Sequence, residues 1–206
     1  MADSRLRKTV DLIARYYDAF KVGHVGHEGY RKSTDLAKFA RCIDQLVRPG
    51  LIDPNRTFFL DLGCADGRVN VLMSYFVKLS LGIEIDPEIL AEYNPRKNEL
   101  GQKLLISDMI QPMDNIALFQ GNSLEAGVYK QIEKKLDVSF QEIDVFYTYI
   151  TLHDLFAAKI AAEAKPKALY LVYGFNKVLP RYQGLELLIP DLASQGIAAL
   201  YGKGEF

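Results

Sequence analysis

The sequence is poor in cysteine: Cys42 and Cys64 stand far apart, in different kinds of segment. Two such thiols build neither a disulfide framework nor a zinc site, and they fit a reducing, cytoplasmic setting. Charge of one sign is also lacking. Lys and Arg total 25 against 26 Asp and Glu, a formal net charge of -1, which argues against a dedicated nucleic-acid binder, because neutralising phosphates requires a basic surplus. No apolar run approaches the roughly 20 residues that cross a bilayer, and the opening Met1-Ala2-Asp3-Ser4-Arg5 is polar. A soluble protein without signal peptide or membrane anchor is expected. The Gly-Lys-Ser/Thr phosphate loop is missing, which sets a nucleotide triphosphatase aside. Internal repeats and low-complexity segments are absent too.

What is present is a globular composition, 49% apolar and 25% charged over 206 residues, enough chain for one large core. Leu6, Val10, Ile13, Tyr17 and Phe20 follow the three-and-four spacing of an amphipathic helix. The segment Val22 to Tyr30, with three glycines and two histidines, reads as a loop or hinge. Ser33 or Thr34 then caps a second helix that Pro49-Gly50 ends. From Phe58 the period changes. Strands ending at Asp61 and near Ile85 alternate with helices from Arg68 to about Lys78 and from Pro87 to about Glu99, and Leu104 to Ile106 reads as part of an insertion. Asn115 to Gln120, Ile143 to Ile150 and Ala168 to Phe175 read as further strands, with helices at Ala126 to Leu136 and Leu152 to Ala164 between them. Leu185 to Ile189 and Ile197 to Tyr201 supply two more strands; too few residues precede Leu185 for a covering helix, so one of them joins antiparallel. The pattern predicts an α/β three-layer sandwich: a central, mostly parallel seven-stranded sheet with an antiparallel last strand. A helical cap and glycine-rich lid are expected over residues 1-50, and a Rossmann-like domain over 51-206.

Phe58-Phe59-Leu60-Asp61 is an apolar strand that stops at a carboxylate and breaks into the turn Leu62-Gly63-Cys64-Ala65-Asp66-Gly67. About twenty residues later Leu81-Gly82-Ile83-Glu84-Ile85 delivers a second carboxylate, the spacing of an α/β nucleotide-type site. The series Asp61-x-Gly63-x-Ala65-x-Gly67, with Glu84 ending the next strand, resembles the class I S-adenosylmethionine-dependent methyltransferases, over Thr57 to Tyr201. The family's middle glycine is Ala65 here, which implies negative φ at that point, with a methyl small enough for close cofactor approach. By this resemblance the protein is an enzyme whose cofactor is S-adenosylmethionine. Asp61 would orient the methionine ammonium, the Gly63 to Gly67 backbone would lie along methionine and ribose, and Glu84 would take both ribose hydroxyls. Ile85 would stack on adenine. Asn122, followed by Ser123, stands where the family often has an acidic residue, and its amide oxygen can accept from the adenine amino group. A dinucleotide reading fits less well: Gly67 comes one place early and Arg68 stands where the last glycine belongs.

Methyl transfer from a sulfonium proceeds by alignment and exclusion of water, and a base is needed only for a protonated acceptor. In the family the acceptor lies beyond the fourth strand, here Tyr147 to Asp154, so Tyr149, His153 and Asp154 are the candidates for substrate positioning or proton removal. The Asn/Asp-Pro-Pro-Tyr/Phe motif of base methylases is absent. The strand Asp144 to Tyr149 and the shortened end resemble the small protein-lysine methyltransferases of this class, which implies a protein side chain as acceptor, with a small molecule as the other choice. A non-catalytic member that binds a partner is the competing reading. Tyr147 and Tyr149 are equally ordinary strand aromatics, and Thr151 or Asp154 can serve simply as the helix cap. His24 and His27 lack a third ligand nearby, so no metal is expected. Gly23, Gly26 and Gly29 would instead hinge a lid that brings His27, Tyr30 or Arg31 over the site.

Overall fold

The computed structural model describes residues 4-26, 29-175 and 178-204. Helix α1 (Ser4–Asp18) leads into a hairpin of β1 (Val22–Gly26) and β2 (Gly29–Arg31), and α2 (Leu36–Val47) follows. The hairpin corrects the expectation of a loop. Val22 pairs with Arg31 and Gly26 with Gly29, a ladder of backbone groups that glycine can also supply, at a cost in chain entropy. The cap of α2 is also corrected. Asp35 accepts from the Lys38 amide at 2.9 Å, while the Ser33 and Thr34 hydroxyls are engaged by Arg68 and Tyr147.

The remaining chain alternates: β3 (Phe58–Asp61), α3 (Arg68–Met73), β4 (Leu79–Glu84), α4 (Pro87–Ala91), α5 (Tyr93–Ile106), β5 (Ile116–Gln120), α6 (Ala126–Leu136), β6 (Val145–Tyr149), α7 (His153–Glu163), β7 (Leu169–Tyr173), β8 (Glu186–Ile189) and β9 (Ala198–Gly202). Helix α3 stops short of Lys78. The Ser74 hydroxyl takes the Val71 carbonyl at 2.7 Å, and the Lys78 amide turns to Thr57 to open β4. The helix expected from Pro87 to Glu99 is two helices that meet at Glu92. Pro95 lies in the first turn of α5, where a missing N–H leaves no bond unmade, so it sits at a restart of the ladder. Leu104 to Ile106 finish that helix and are no insertion.

The sheet order is β5-β4-β3-β6-β7-β9-β8. Neighbours from β5 to β7 are parallel, and β9 runs antiparallel between β7 and β8. Side chains of each strand divide by the two-residue period. Phe59, Val145, Tyr147, Leu171 and Tyr173 pack under α1, α2, α3 and α5, whereas Leu60, Phe146, Tyr170 and Val172 pack under α6 and α7. This is the three-layer α/β sandwich, with its last strand reversed. Connections from β3 leave in one direction toward β4 and the later strands lie on its other side, so the crevice at the carboxyl ends of β3 and β6 is the place where such sheets bind ligands. No helix among the described residues is long and apolar enough to cross a membrane.

Candidate functional site

At the end of β3 the chain makes a turn whose amides are fixed from three sides. The Leu62 amide donates to the Tyr147 carbonyl of β6 at 2.9 Å and the Cys64 amide to the Ile83 carbonyl of β4 at 2.9 Å. The Ala65 amide donates to Glu84 Oε2 at 3.0 Å. To make that contact Ala65 adopts φ +48°, correcting the expectation of negative φ; the methyl is tolerated in the left-handed region at a cost of about 1–2 kcal/mol. Gly67 also has positive φ, +72°, and begins α3. An added Cβ there would lie 2.6 Å from the Tyr93 ring and 2.8 Å from Leu118, whereas a Cβ on Gly63 would meet nothing within 4 Å. The two glycines therefore differ: one is required by packing, and the other faces open space.

Two buried carboxylates stand beside this turn. Glu84, buried at the end of β4, also accepts from the Asp86 amide through Oε1 at 2.9 Å, so it bridges the turn to the start of α4. Asp61 is 1% exposed, and its Oδ1 accepts from the Gly63 amide at 3.3 Å. Burial pushes the Asp61 carboxyl up to about 8, with the Gly63 hydrogen bond opposing and the charges of Glu84 and Asp66 adding to the rise. A carboxylate in this position calls for a cation. Asp66, by contrast, is held by a two-pronged pair from Arg68, at 2.9 and 3.0 Å, with Arg96 at 3.5 Å. The same arginines donate to the carbonyls of Phe20 and Lys21, just ahead of β1. Cys64 is a buried packing residue whose thiol burial pushes up.

A cleft of about 640 Å³ opens over these elements, within the range of small-molecule sites. Gly63, Ala65, Glu84, Ile85, Asn122, Ser123 and Tyr149 all line it. Ile85 is 62% exposed, a large apolar side chain offered to the cleft. The Asn122 amide oxygen accepts from the Leu124 amide at 3.0 Å and its nitrogen donates to Glu125, which leaves the oxygen one lone pair for a ligand. The Ser123 hydroxyl is spent on the Leu62 carbonyl at 2.7 Å, tying the β5 turn to the β3 turn. Tyr149 rests against Gly174, where an added Cβ would come within 2.9 Å of its ring, and burial raises its phenol. Tyr147 is core: it packs edge-on against Phe39 and bonds the Thr34 hydroxyl.

Asp61 and Gly67 lie beneath the cleft and do not line it, and His153 and Asp154 are not brought to it. His153 Nδ1 pairs with the Tyr182 hydroxyl at 2.7 Å and approaches Asp154 at 3.1 Å, while the Asp154 carboxyl is largely exposed. Sequence reasoning missed Val22, Lys32, Ile150, Leu152 and Phe156, all of which line the cleft. Val22 and Lys32 border the segment expected as a lid and reach the cleft from about forty and thirty residues upstream of the turn. His27 lies outside the described residues, as do the side chains of His24, Tyr30 and Arg31, on which the metal and closing-lid expectations rest. A groove of about 740 Å³ between α1 and α2, lined by Ala14, Ala37 and Ala40 among others, lies away from the strand ends.

No family model matches the sequence, and no curated protein matches it. Solved structures do. An RNA methyltransferase from Salinibacter ruber, in complex with S-adenosyl-L-homocysteine, aligns over 80% of this chain and 91% of its own at 18% identity and a TM-score of 0.51. The putative methyltransferase yhhF from Escherichia coli aligns over 85% and 88% at 15% identity and a TM-score of 0.51. At such identities the likeness is one of fold: the chain has the Rossmann-like fold of class I methyltransferases.

Proposed function

We propose that the protein binds S-adenosylmethionine in this cleft and transfers its methyl group to an acceptor that enters beside Tyr149. The observation that carries the reading is the pair of buried carboxylates at the ends of adjacent strands: Glu84, which lines the cleft with Gly63, and Asp61, which lies behind it and is bonded to the Gly63 amide. Asp61 is a buried acid short of a cation, and the cofactor's methionine end carries an ammonium and a sulfonium. Glu84, with both oxygens oriented by backbone amides, can accept from two vicinal hydroxyls. Ile85 would flank the adenine, the spare lone pair of Asn122 would accept from its amino group, and Ser123 would hold the Leu62 carbonyl in place. The backbone of Gly63 and Ala65 would lie along the chain between them, above Gly67. The Salinibacter neighbour, which holds S-adenosyl-L-homocysteine, supports the choice of ligand.

When bound, the cofactor supplies a methyl group on an already activated leaving group. The protein's part is then alignment and exclusion of water. With its phenol raised by burial, Tyr149 is neutral at physiological pH and would position the acceptor through a hydrogen bond. His153 and Asp154 are assigned the next layer, holding the start of α7 through Tyr182. A protein side chain and a small molecule both remain within the proposal. That His153 is engaged elsewhere favours one second reading, a member of the fold that binds the cofactor without turnover.

Calorimetric titration tests the proposal. The intact protein should bind S-adenosylmethionine, and Glu84→Gln, which keeps an acceptor but removes the charge, should bind it at least about tenfold more weakly, given about 1.5–3 kcal/mol per charge-assisted hydrogen bond. Absence of binding by the intact protein would overturn the reading. Binding with no transfer of labelled methyl to any fraction of cell extract would leave the second.

A further inference from the structure

Resting on the methyl-transfer reading, we infer that the acceptor is a small molecule with an apolar body and one anionic group, and that Lys32 is the residue that selects it. The cleft has two halves on either side of β3. On the β4 and β5 side stand Glu84, Ile85 and Asn122; on the β6 and α7 side stand Tyr149, Ile150, Leu152 and Phe156. The second half is mostly apolar, with the Thr148 hydroxyl spent on the Tyr149 carbonyl at 2.7 Å and Thr151 beside it, and it holds Leu152, the cap residue of α7, in the left-handed region. Leu152 has φ +55° and is 53% exposed. A bulky side chain in the left-handed region costs about 1–2 kcal/mol, and here about half of the residue stays exposed on the wall of the cleft. Strain of this kind persists where a ligand uses the geometry.

Lys32 is the charged counterpart. It lines the cleft, is exposed, and makes no hydrogen bond or ion pair among the described residues. The neighbouring arginines are committed, Arg68 to Asp66 and Arg96 to Glu92 and Asp66. Its backbone is fixed, because the next three residues are pinned in turn: Ser33 by Arg68, Thr34 by Tyr147, and Asp35 as the cap of α2, whose carbonyl also accepts from the Tyr173 hydroxyl at 3.4 Å. A cation on a rigid support in the same cleft as a mostly apolar wall suits an amphiphile with a carboxylate or a phosphate. An ammonium acceptor such as a peptide lysine would meet a like charge. Glu84, whose oxygens are turned to the Ala65 and Asp86 amides, stands on the other side of β3. A nucleic acid would need several cations in a row, and the chain has a net charge of -1.

The test is binding of benzoate and phenyl phosphate to the full-length protein saturated with S-adenosylhomocysteine, against benzamide, benzylamine, a lysine-containing peptide and a short single-stranded RNA. One of the two anions should bind at least about tenfold more tightly than benzamide, the worth of one charge-assisted contact, and the better anion tells carboxylate from phosphate. Lys32→Gln should erase that preference and Lys32→Arg should restore it, with S-adenosylhomocysteine affinity measured in each variant as the control for folding. Equal binding of benzamide, tighter binding of benzylamine, peptide or RNA, a preference that survives Lys32→Gln, or no binding by any probe would overturn the inference. Failure of S-adenosylhomocysteine itself to bind is a separate result and overturns the methyl-transfer reading on which the inference rests.

Discussion

A methyl group at Gly67 would sit 2.6 Å from the Tyr93 ring on backbone at φ +72°. Gly67→Ala therefore carries both left-handed strain and overpacking, and should cost roughly 2–4 kcal/mol in a urea titration. Gly63→Ala should leave the urea midpoint almost unchanged, since its Cβ would enter open space, yet weaken S-adenosylmethionine binding, because the proposed cofactor lies in that space. A protein in which both substitutions merely destabilise would not have a cofactor over Gly63. Asp61 makes a prediction in pH. Its folded-state acid, pushed up to about 8 by burial first, holds a proton that the unfolded chain releases near pH 4. Its contribution to stability is thus present in full below about pH 4 and is lost as pH rises toward 8. Thermal unfolding of the cofactor-free protein should show this decline, Asp61→Asn should flatten it, and S-adenosylmethionine, as a cation, should bind more tightly over the same rise. At this scale the sequence was informative about residue types. The spacing put Asp61 and Glu84 at strand ends and Gly63 and Gly67 in the turn between them, as the structure has them, but the sign of φ at Ala65 depends on a bond to Glu84, nineteen residues away, and no local pattern carries it.

The hairpin and its anchors show why elements were harder to read than single residues. Glycines at 23, 26 and 29 suggested a loop, yet Gly23 has φ +67° and packs so closely on Ile89 that a Cβ would lie 3.0 Å from it, a contact that joins the hairpin to α4. Both feet of the hairpin are gripped by arginines that also hold Asp66 in the glycine turn. Arg68 bonds Phe20 and Ser33, and Arg96 bonds Lys21. These partners lie 35 to 75 residues apart in sequence, beyond any periodicity. Breaking a buried pair by removing one member typically costs about 3–5 kcal/mol, and Asp66 and Arg68 are both nearly inaccessible. Asp66→Asn should accordingly lose stability on that order. In native-state hydrogen exchange it should also speed the amides of β1 and β2 more than those of β7. Uniform acceleration across the sheet would mean that the clamp serves the core and not the hairpin. Elements with strong alternation were legible almost to the residue, as α6 and β7 were, because burial on one or two faces writes itself into the pattern.

At the scale of the whole molecule, the expected division at residue 50 meets a shared core. Val10, Ile13 and Tyr17 of α1 and Phe39, Ile43 and Leu46 of α2 belong to the same buried cluster as Phe59, Tyr147 and Tyr173 of the sheet. Removing residues 1-50 would uncover that face, so the fragment 51-206 should aggregate or expose dye-binding surface, and the full chain should unfold in one transition by both near-ultraviolet and far-ultraviolet dichroism. A soluble, cofactor-binding fragment would show that the two parts are independent domains. The alternation of strands and helices was legible in the sequence; which strands become neighbours in the order β5-β4-β3-β6-β7-β9-β8 was not.

The position of β9 has a consequence for the birth of the protein. Strand β8 is made first but pairs with β9, and β9 must slip between it and β7. While a ribosome adds the eight residues, 190-197, that separate them, roughly a second at about 5–20 residues per second, the growing sheet ends at β7 with an unsealed edge. Nascent chains stalled before residue 198 should therefore be the ones that chaperones hold.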